Sequence, residues 1–334
     1  MYTNQDLEDA IQQGIFDSAA VMQFRDFVAK QRNTRGVDEE SFRLVTSFND
    51  IFVVIAIALL LISTSALTDV YGEAIAAFSV SVMSWGLSEF FVLKRRMALP
   101  AIVLLVTYTG SLFIGIPFFF DAFGMAYEWR FLFAALITAF GAWLHWKRFQ
   151  VPITVAAGAL AIVAAVIALV MAIFPKMAEF VSIITFLGGV GIFMVAMYWD
   201  TSDPQRKTLR SDVAFWLHLS ASPLIVHTVF SWLDVFRVEQ SVSSLVGIIA
   251  LYFVLSVISL AVDRRAFMVS SLVYVLYALA QLLDNYGLAG NSFAYVGAVI
   301  GLSLLLLSAF WHAAREAIVS CFPAALRAVL PATR

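Results

Sequence analysis

The stretch "LHLSASPLIVHTVFSWLD", residues 217–234, is apolar at most positions yet holds two histidines, a proline, four hydroxyl side chains and a closing aspartate. On a helix advancing 100° per residue, Ser220, His227, Ser231 and Asp234 fall within about 60° of one another and form a stripe about 21 Å long. His218 and Ser222 make an i,i+4 pair on the opposite face. Because the two histidines point in opposed directions, they cannot ligate one metal or haem together. Ionisable groups in a membrane helix mark paths for protons, ions or polar solutes, and histidine changes charge near neutral pH. Ser231 is therefore expected to face water at membrane depth. The competing structural reading has the serines bonding to neighbouring helices and Asp234 pairing with Arg237. Pro223 removes one backbone donor and is expected to kink the segment.

Glu89, in "SWGLSEFFVLKRR", is the second ionisable group out of place, about one turn inside a basic boundary. A carboxylate facing lipid costs about 2.5–3.5 kcal/mol at a helix centre, so Glu89 is expected to pair with Arg95, Arg96 or Lys147, or else to hold a proton or cation. His145 and His312 fall at span ends and need no special role. Asp200-Thr-Ser-Asp203 has a spacing used in metal-assisted phosphate chemistry, although Pro204 favours a turn.

These residues need elements to hold them, and the composition says which kind. The chain has 334 residues, 62% hydrophobic and 13% charged, with mean hydropathy +0.89, against about 25% charged in a soluble domain. The fold class is all-α, a polytopic membrane protein. Apolar runs long enough to cross a bilayer lie near 51–67, 74–93, 99–120, 131–146, 152–174, 178–198, 213–233, 241–262, 266–283 and 293–313. The fourth, at sixteen residues, is the shortest, with Trp143 and Trp146 suited to an interface. Of the 21 basic residues, all but Arg130, Lys176 and Arg237 fall in the N-terminal segment, the tail or alternate loops. The positive-inside bias then puts both termini in the cytoplasm. "LKRRMALPAIVLLVTY" and "AVDRRAFMVSSLVYVLY" look alike, which a repeated hairpin unit or the charge rule alone would produce. Gly297-x-x-x-Gly301 and "FLGGVGIF" at 186–193 would let helices approach closely, and "GIPFFFDAFG" at 115–124 would turn the chain at the outer surface.

Three regions follow: a cytoplasmic hairpin and hinge over 1–45, ten transmembrane helices over 46–313, and an amphipathic tail over 314–334. In the first, Thr3-x-x-Asp6 reads as a helix start, Gly14 as a C-cap and Asp17 as the next start. Residues 3–32 are too few to bury much alone, so they should dock on the membrane body, a second copy or a protein partner. In the tail, Ile318, Cys321, Phe322, Leu326 and Leu330 share one side and suit a membrane surface.

"LEDAIQQGIFDSAAVMQFRDFVAKQR", a polar hinge "RGVDEE" and then many spans with "LKRRMALP"-like turns together resemble an uncharacterised family of bacterial membrane proteins, the domain-of-unknown-function family twenty-one fifty-seven. The likeness covers about the first third of the chain. It implies a bacterial inner-membrane protein and carries no activity with it. Asp263-Arg264-Arg265 shares the order of a cytoplasmic-loop motif of major facilitator transporters but lacks its glycines, and is set aside.

One cysteine, Cys321, excludes an internal disulfide framework. No basic tract points to nucleic acid, and the first apolar run begins at Ile51, so no cleavable leader is expected. No Gly-rich phosphate loop with Lys, HExxH, GxSxG or CxxC occurs, and no cofactor or metal is implied. Three function classes stand: translocation of a small solute or ion, with 213–233 lining the path; a membrane scaffold or accessory subunit docking through its N-terminal hairpin; and, third, an intramembrane lipid-modifying enzyme.

Overall fold

Where water is absent the backbone must satisfy its own hydrogen bonds, so long apolar runs are forced into helices. The computed structural model describes residues 10–11, 13–31, 48–203, 208–233, 242–285, 292–323 and 330, with no strand among them. The chain forms two compact units, Met1–Phe42 and Arg43–Arg334.

In the first unit, a helix ends at Gly14, whose φ of +69° needs no side chain to clash. The Ile15 amide donates to the Ala10 carbonyl at 2.9 Å and the Gly14 amide to the Ile11 carbonyl at 3.0 Å, the paired bonds of a Schellman stop. Helix α1, Ser18–Gln31, follows Asp17. Ile15, Phe16, Met22 and Phe24 remain exposed. The Thr3–Asp6 start lies outside the described residues.

The second unit holds α2 (Phe48–Thr68), α3 (Glu73–Ser88), α4 (Ala98–Asp121), α5 (Tyr127–Phe149), α6 (Ile153–Ile173), α7 (Val181–Thr201), α8 (Leu209–Trp232), α9 (Val242–Val262), α10 (Ala266–Asn285), α11 (Ser292–Ala309) and α12 (Trp311–Ser320). Helices α2 to α11 occupy the ten apolar runs. Among the described residues, six (α2, α3, α4, α6, α7 and α8) are long and apolar enough to cross a membrane, and α11 with α12, bent by 75°, makes a seventh if counted as one span. The apolar described parts of α9 and α10 are shorter, Val246–Val262 and Ala266–Ala280. α5 has Glu128 in its first turn and Lys147 and Arg148 in its last. The chain is a multi-pass membrane protein on these helices.

Packing is by hairpins: α3 lies along α4, α5 along α6, α7 along α8 and α9 along α10. Among the described residues, the connecting turns hold three non-glycine residues in the left-handed region: Arg96 (φ 51°), Gln150 (φ 53°) and Asp263 (φ 61°). These are the turns on the basic side of the chain. Gly188 sets the α6–α7 distance, since a Cβ there would stand 2.6 Å from Val163 Cγ1, and Gly189 does the same against Leu224 and Ile225 of α8 at 2.9 Å. Gly297 and Gly301 instead face open space, so close helix approach is not their role among the described residues. α4 continues through Pro117 to Asp121, which pairs with Arg130 across the turn at Gly124.

α8 is the central helix, touching α6, α7 and α10. Half of its most apolar window is buried, against 11% for α2 at the margin. That difference decides which polar groups the protein encloses and which it leaves to its surroundings.

Candidate functional site: a buried ionic cluster around Asp200

The two polar faces of α8 are turned in opposite directions. His218 and Ser222 point inward and are completely buried, with the Ser222 hydroxyl donating to the His218 carbonyl at 2.8 Å. Ser220 and Ser231 are half-buried and His227 is exposed. Ser220 donates to the Trp216 carbonyl at 2.9 Å, and His227 Nδ1 lies 2.8 Å from the Tyr274 hydroxyl of α10. The stripe thus follows an outer face of the helix bundle. Asp234 and Arg237 lie outside the described residues. The helix runs through Pro223 without a break.

The inward face meets two other segments. Asp200, in the last turn of α7, lies with its Oδ2 3.0 Å from His218 Nε2. Arg264, from the α9–α10 turn, reaches the same carboxylate with Nη2 at 2.6 Å from Oδ1 and Nε at 3.3 Å from Oδ2. The Arg264 Nη2 also donates to the Ser211 carbonyl at 3.2 Å and approaches the Ser211 hydroxyl at 3.4 Å. Asp200 is 3% exposed, Arg264 2% and His218 0%. An ionised carboxylate only accepts hydrogen bonds, so this geometry assigns the ring proton to Nε2 of His218. Phe193 packs edge-on to the His218 ring at 5.3 Å, and Arg264 sits over the Phe215 ring at 5.9 Å. The aromatic wall keeps water out and strengthens each charge-assisted bond inside it.

Arg264 is aimed inward by its own turn. Asp263 takes the left-handed conformation that short acidic side chains tolerate. The Arg264 amide donates to the Ser259 carbonyl at 2.9 Å, and the Ser259 hydroxyl donates back to the Arg264 carbonyl. Asp263 is fixed in turn by α12, where Trp311 Nε1 donates to its Oδ1 at 2.9 Å and Arg315 Nε stands 3.5 Å away. Arg265 lies over the Trp311 ring at 5.0 Å. Trp311, Arg315 and Val319 form the buried face of α12, and Ile318, expected at the membrane surface, packs beside Trp311 instead. Two charged groupings therefore meet at this turn, Arg315 with Asp263, and Arg264 with Asp200 and His218.

Asp203 does other work. Its carboxylate accepts from the Thr208 amide at 2.8 Å and the Thr208 hydroxyl at 2.7 Å, closing the turn before α8. Among the described residues no three His, Cys, Asp or Glu side chains gather as a metal site.

Glu89 is paired, but with Arg148 instead of Arg95, Arg96 or Lys147: Nε and Nη2 reach its two oxygens at 2.9 and 2.8 Å. The reason is local. Glu89 opens a π-helical turn, Glu89–Lys94, which offsets it from the arginines that follow in sequence, while Arg148 arrives from the end of α5. His145 lies in the last two turns of α5, at a span end as expected, and is 0% exposed.

Sequence reasoning counted Arg264 and Arg315 as cytoplasmic cations and Asp200 as part of a loop. The signal that could have found them was an excess of acidic residues, Asp200, Asp203, Asp212 and Asp263, close to turns that the charge rule reads as basic. No protein-family model matches the chain, and no curated protein or solved structure matches it either.

Proposed function

We propose that the chain is a ten-span protein of a bacterial inner membrane with both termini cytoplasmic, and that it moves a small polar solute or an ion across that membrane. The observation that carries this reading is the closed cluster of Asp200, His218 and Arg264, drawn from three separate segments. A buried ion pair is a poor stabiliser compared with well-packed apolar groups, and ionisable groups inside a membrane bundle cluster on transport paths and proton relays. Asp200 can hold Arg264 and His218 together or release one of them. That gives the α7–α8–α10 contact two states distinguished by a proton or a polar ligand. The outward stripe of Ser220, His227 and Ser231 flanks this contact on the same helix, and Glu89 is assigned to an ion pair.

Alternating exposure tests the proposal. In a Cys321→Ser background, single cysteines replace Ser211 and Ser222, 6% and 0% exposed, and, as a control, Thr154, 1% exposed beside His145. Oriented vesicles are treated with a membrane-impermeant maleimide from either side, with and without a pH gradient. Labelling at 211 or 222 that depends on the gradient, with 154 unlabelled, is the expected result. If neither position labels under any gradient, the cluster is a static clamp and the translocation reading falls. A second reading, an accessory subunit docked through residues 3–32, draws support from the exposed Ile15, Phe16, Met22 and Phe24; co-purification that depends on those four side chains would favour it.

A further inference from the structure

The helix that follows the last bend, α12, has ten residues and turns 75° away from α11. A helix of that length is marginal on its own, so what its buried face touches decides where it lies. Trp311 packs between Leu260 of α9 and Met268 of α10, one from each side of the α9–α10 turn. Two members of the same face carry polar heads, and both meet the turn residue Asp263: the Trp311 indole donates to it at 2.9 Å and Arg315 Nε stands 3.5 Å away. Arg265 covers the Trp311 ring at 5.0 Å. His312, Glu316 and Ser320 on the opposite face are exposed.

The contact matters because of the conformation it holds. The φ of +61° at Asp263 lies in the left-handed region, which a residue with a Cβ keeps only where its surroundings fix it. That torsion sets the direction of the next residue, Arg264. With Asp263 in this conformation the Arg264 amide reaches the Ser259 carbonyl at 2.9 Å, and the guanidinium reaches Asp200 at 2.6 Å. A return of Asp263 to negative φ breaks the amide bond and turns Arg264 away from the carboxylate. The torsion is therefore an element with two positions. α12 holds it from one side and Asp200, through Arg264, from the other. Two contacts that favour the same position of a shared element are coupled, and the coupling is reciprocal.

We propose that α12 is a latch on the ionic cluster: docked, it keeps Arg264 on Asp200, and lifted, it lets the cluster open. The inference rests on the reading of that cluster as a contact with two states, and it adds the control on it. Trp311 and Asp263 are then positioning residues, acting on Asp200 only through the direction of Arg264.

Hydrogen exchange and cysteine labelling of the full chain in lipid vesicles test the two directions of the coupling. Asp200→Asn should speed exchange of the α12 amides about tenfold while the α5 and α6 amides stay as in wild type, which separates release of the latch from general loosening. Trp311→Phe keeps a ring under Arg265 and removes the indole donor. In a Cys321→Ser background it should raise maleimide labelling at Ser211→Cys about fivefold and make it independent of the pH gradient. Glu316→Gln, on the exposed face, should change neither readout. Trp311→Phe leaves every charge in place, and so keeps the test if Asp200→Asn does not fold. Exchange of α12 in Asp200→Asn equal to wild type, or labelling in Trp311→Phe equal to wild type, overturns the latch. Gradient-dependent labelling in wild type with no change in Trp311→Phe removes the latch and leaves translocation standing. Faster α12 exchange in Asp200→Asn with no labelling of wild type under any gradient does the reverse.

Discussion

Two histidines, His145 and His218, are both fully buried near turns on the basic side of the chain, and their surroundings differ in kind. His145 lies among Trp85, Tyr108 and Phe149, with ring centroids at 5.9, 5.7 and 4.5 Å. Its Nδ1 is 3.2 Å from the Thr154 hydroxyl, and its Nε2 is buried with no hydrogen-bond partner among the described residues. Among the described residues no ion pair reaches it. His218 shares a carboxylate with an arginine. Burial alone therefore does not distinguish a site from a core position; what distinguishes them is whether the partners carry charge and come from segments that can separate. The His145 region behaves as an aromatic core that tolerates one unmet nitrogen. The His218 region is held by charges that cannot be left unpaired.

That contrast can be broken by substitution. Asp200→Ala strands Arg264 in a dry site and should destabilise the protein by about 3–5 kcal/mol, read as lost denaturant or thermal stability in detergent. Adding Arg264→Met should recover much of that loss, because an apolar side chain replaces an uncompensated charge. If Asp200→Ala alone is neutral, the cluster is not closed in the way described. A smaller difference separates the histidines themselves. His218→Phe removes one donor from Asp200 and should cost about 1–3 kcal/mol. His145→Phe exchanges one ring for another in an aromatic pocket and should stay within about 1.5 kcal/mol of wild type, in either direction. Equal effects at the two positions would erase the distinction. The smallest effect is expected at the exposed Glu89–Arg148 pair, where Glu89→Gln should leave the melting temperature unchanged at any salt concentration.

Much of the fold was legible because the information is local. Apolar runs gave the helices α2 to α11, and Gly14 gave the stop before α1. Helical arithmetic also sorted Ser220, His227 and Ser231 from His218 and Ser222. It could not say which face the bundle would enclose, because that depends on how much α8 is surrounded by α6, α7 and α10. Arg264 was out of reach for a different reason. Its inward aim follows from the left-handed turn at Asp263 and from Trp311 and Arg315, nearly fifty residues later, and a charge count assigns such a residue to the loop. Glu89 shows the same limit on a smaller scale, since a π-turn moved its partner from the adjacent arginines to Arg148.

The bond between Asp200 and Arg264 spans 64 positions in the chain, and this has a consequence for biosynthesis. At about 5–20 residues per second, the ribosome has finished the α7–α8 hairpin several seconds before it makes the arginine. During that interval the nascent chain carries a carboxylate at the end of α7 with His218 as its companion and without Arg264. The hairpin must wait at the insertion site, or near the headgroups, until the next one emerges. Integration of the second half of the molecule is therefore ordered by charge, with each hairpin completing the one made before it.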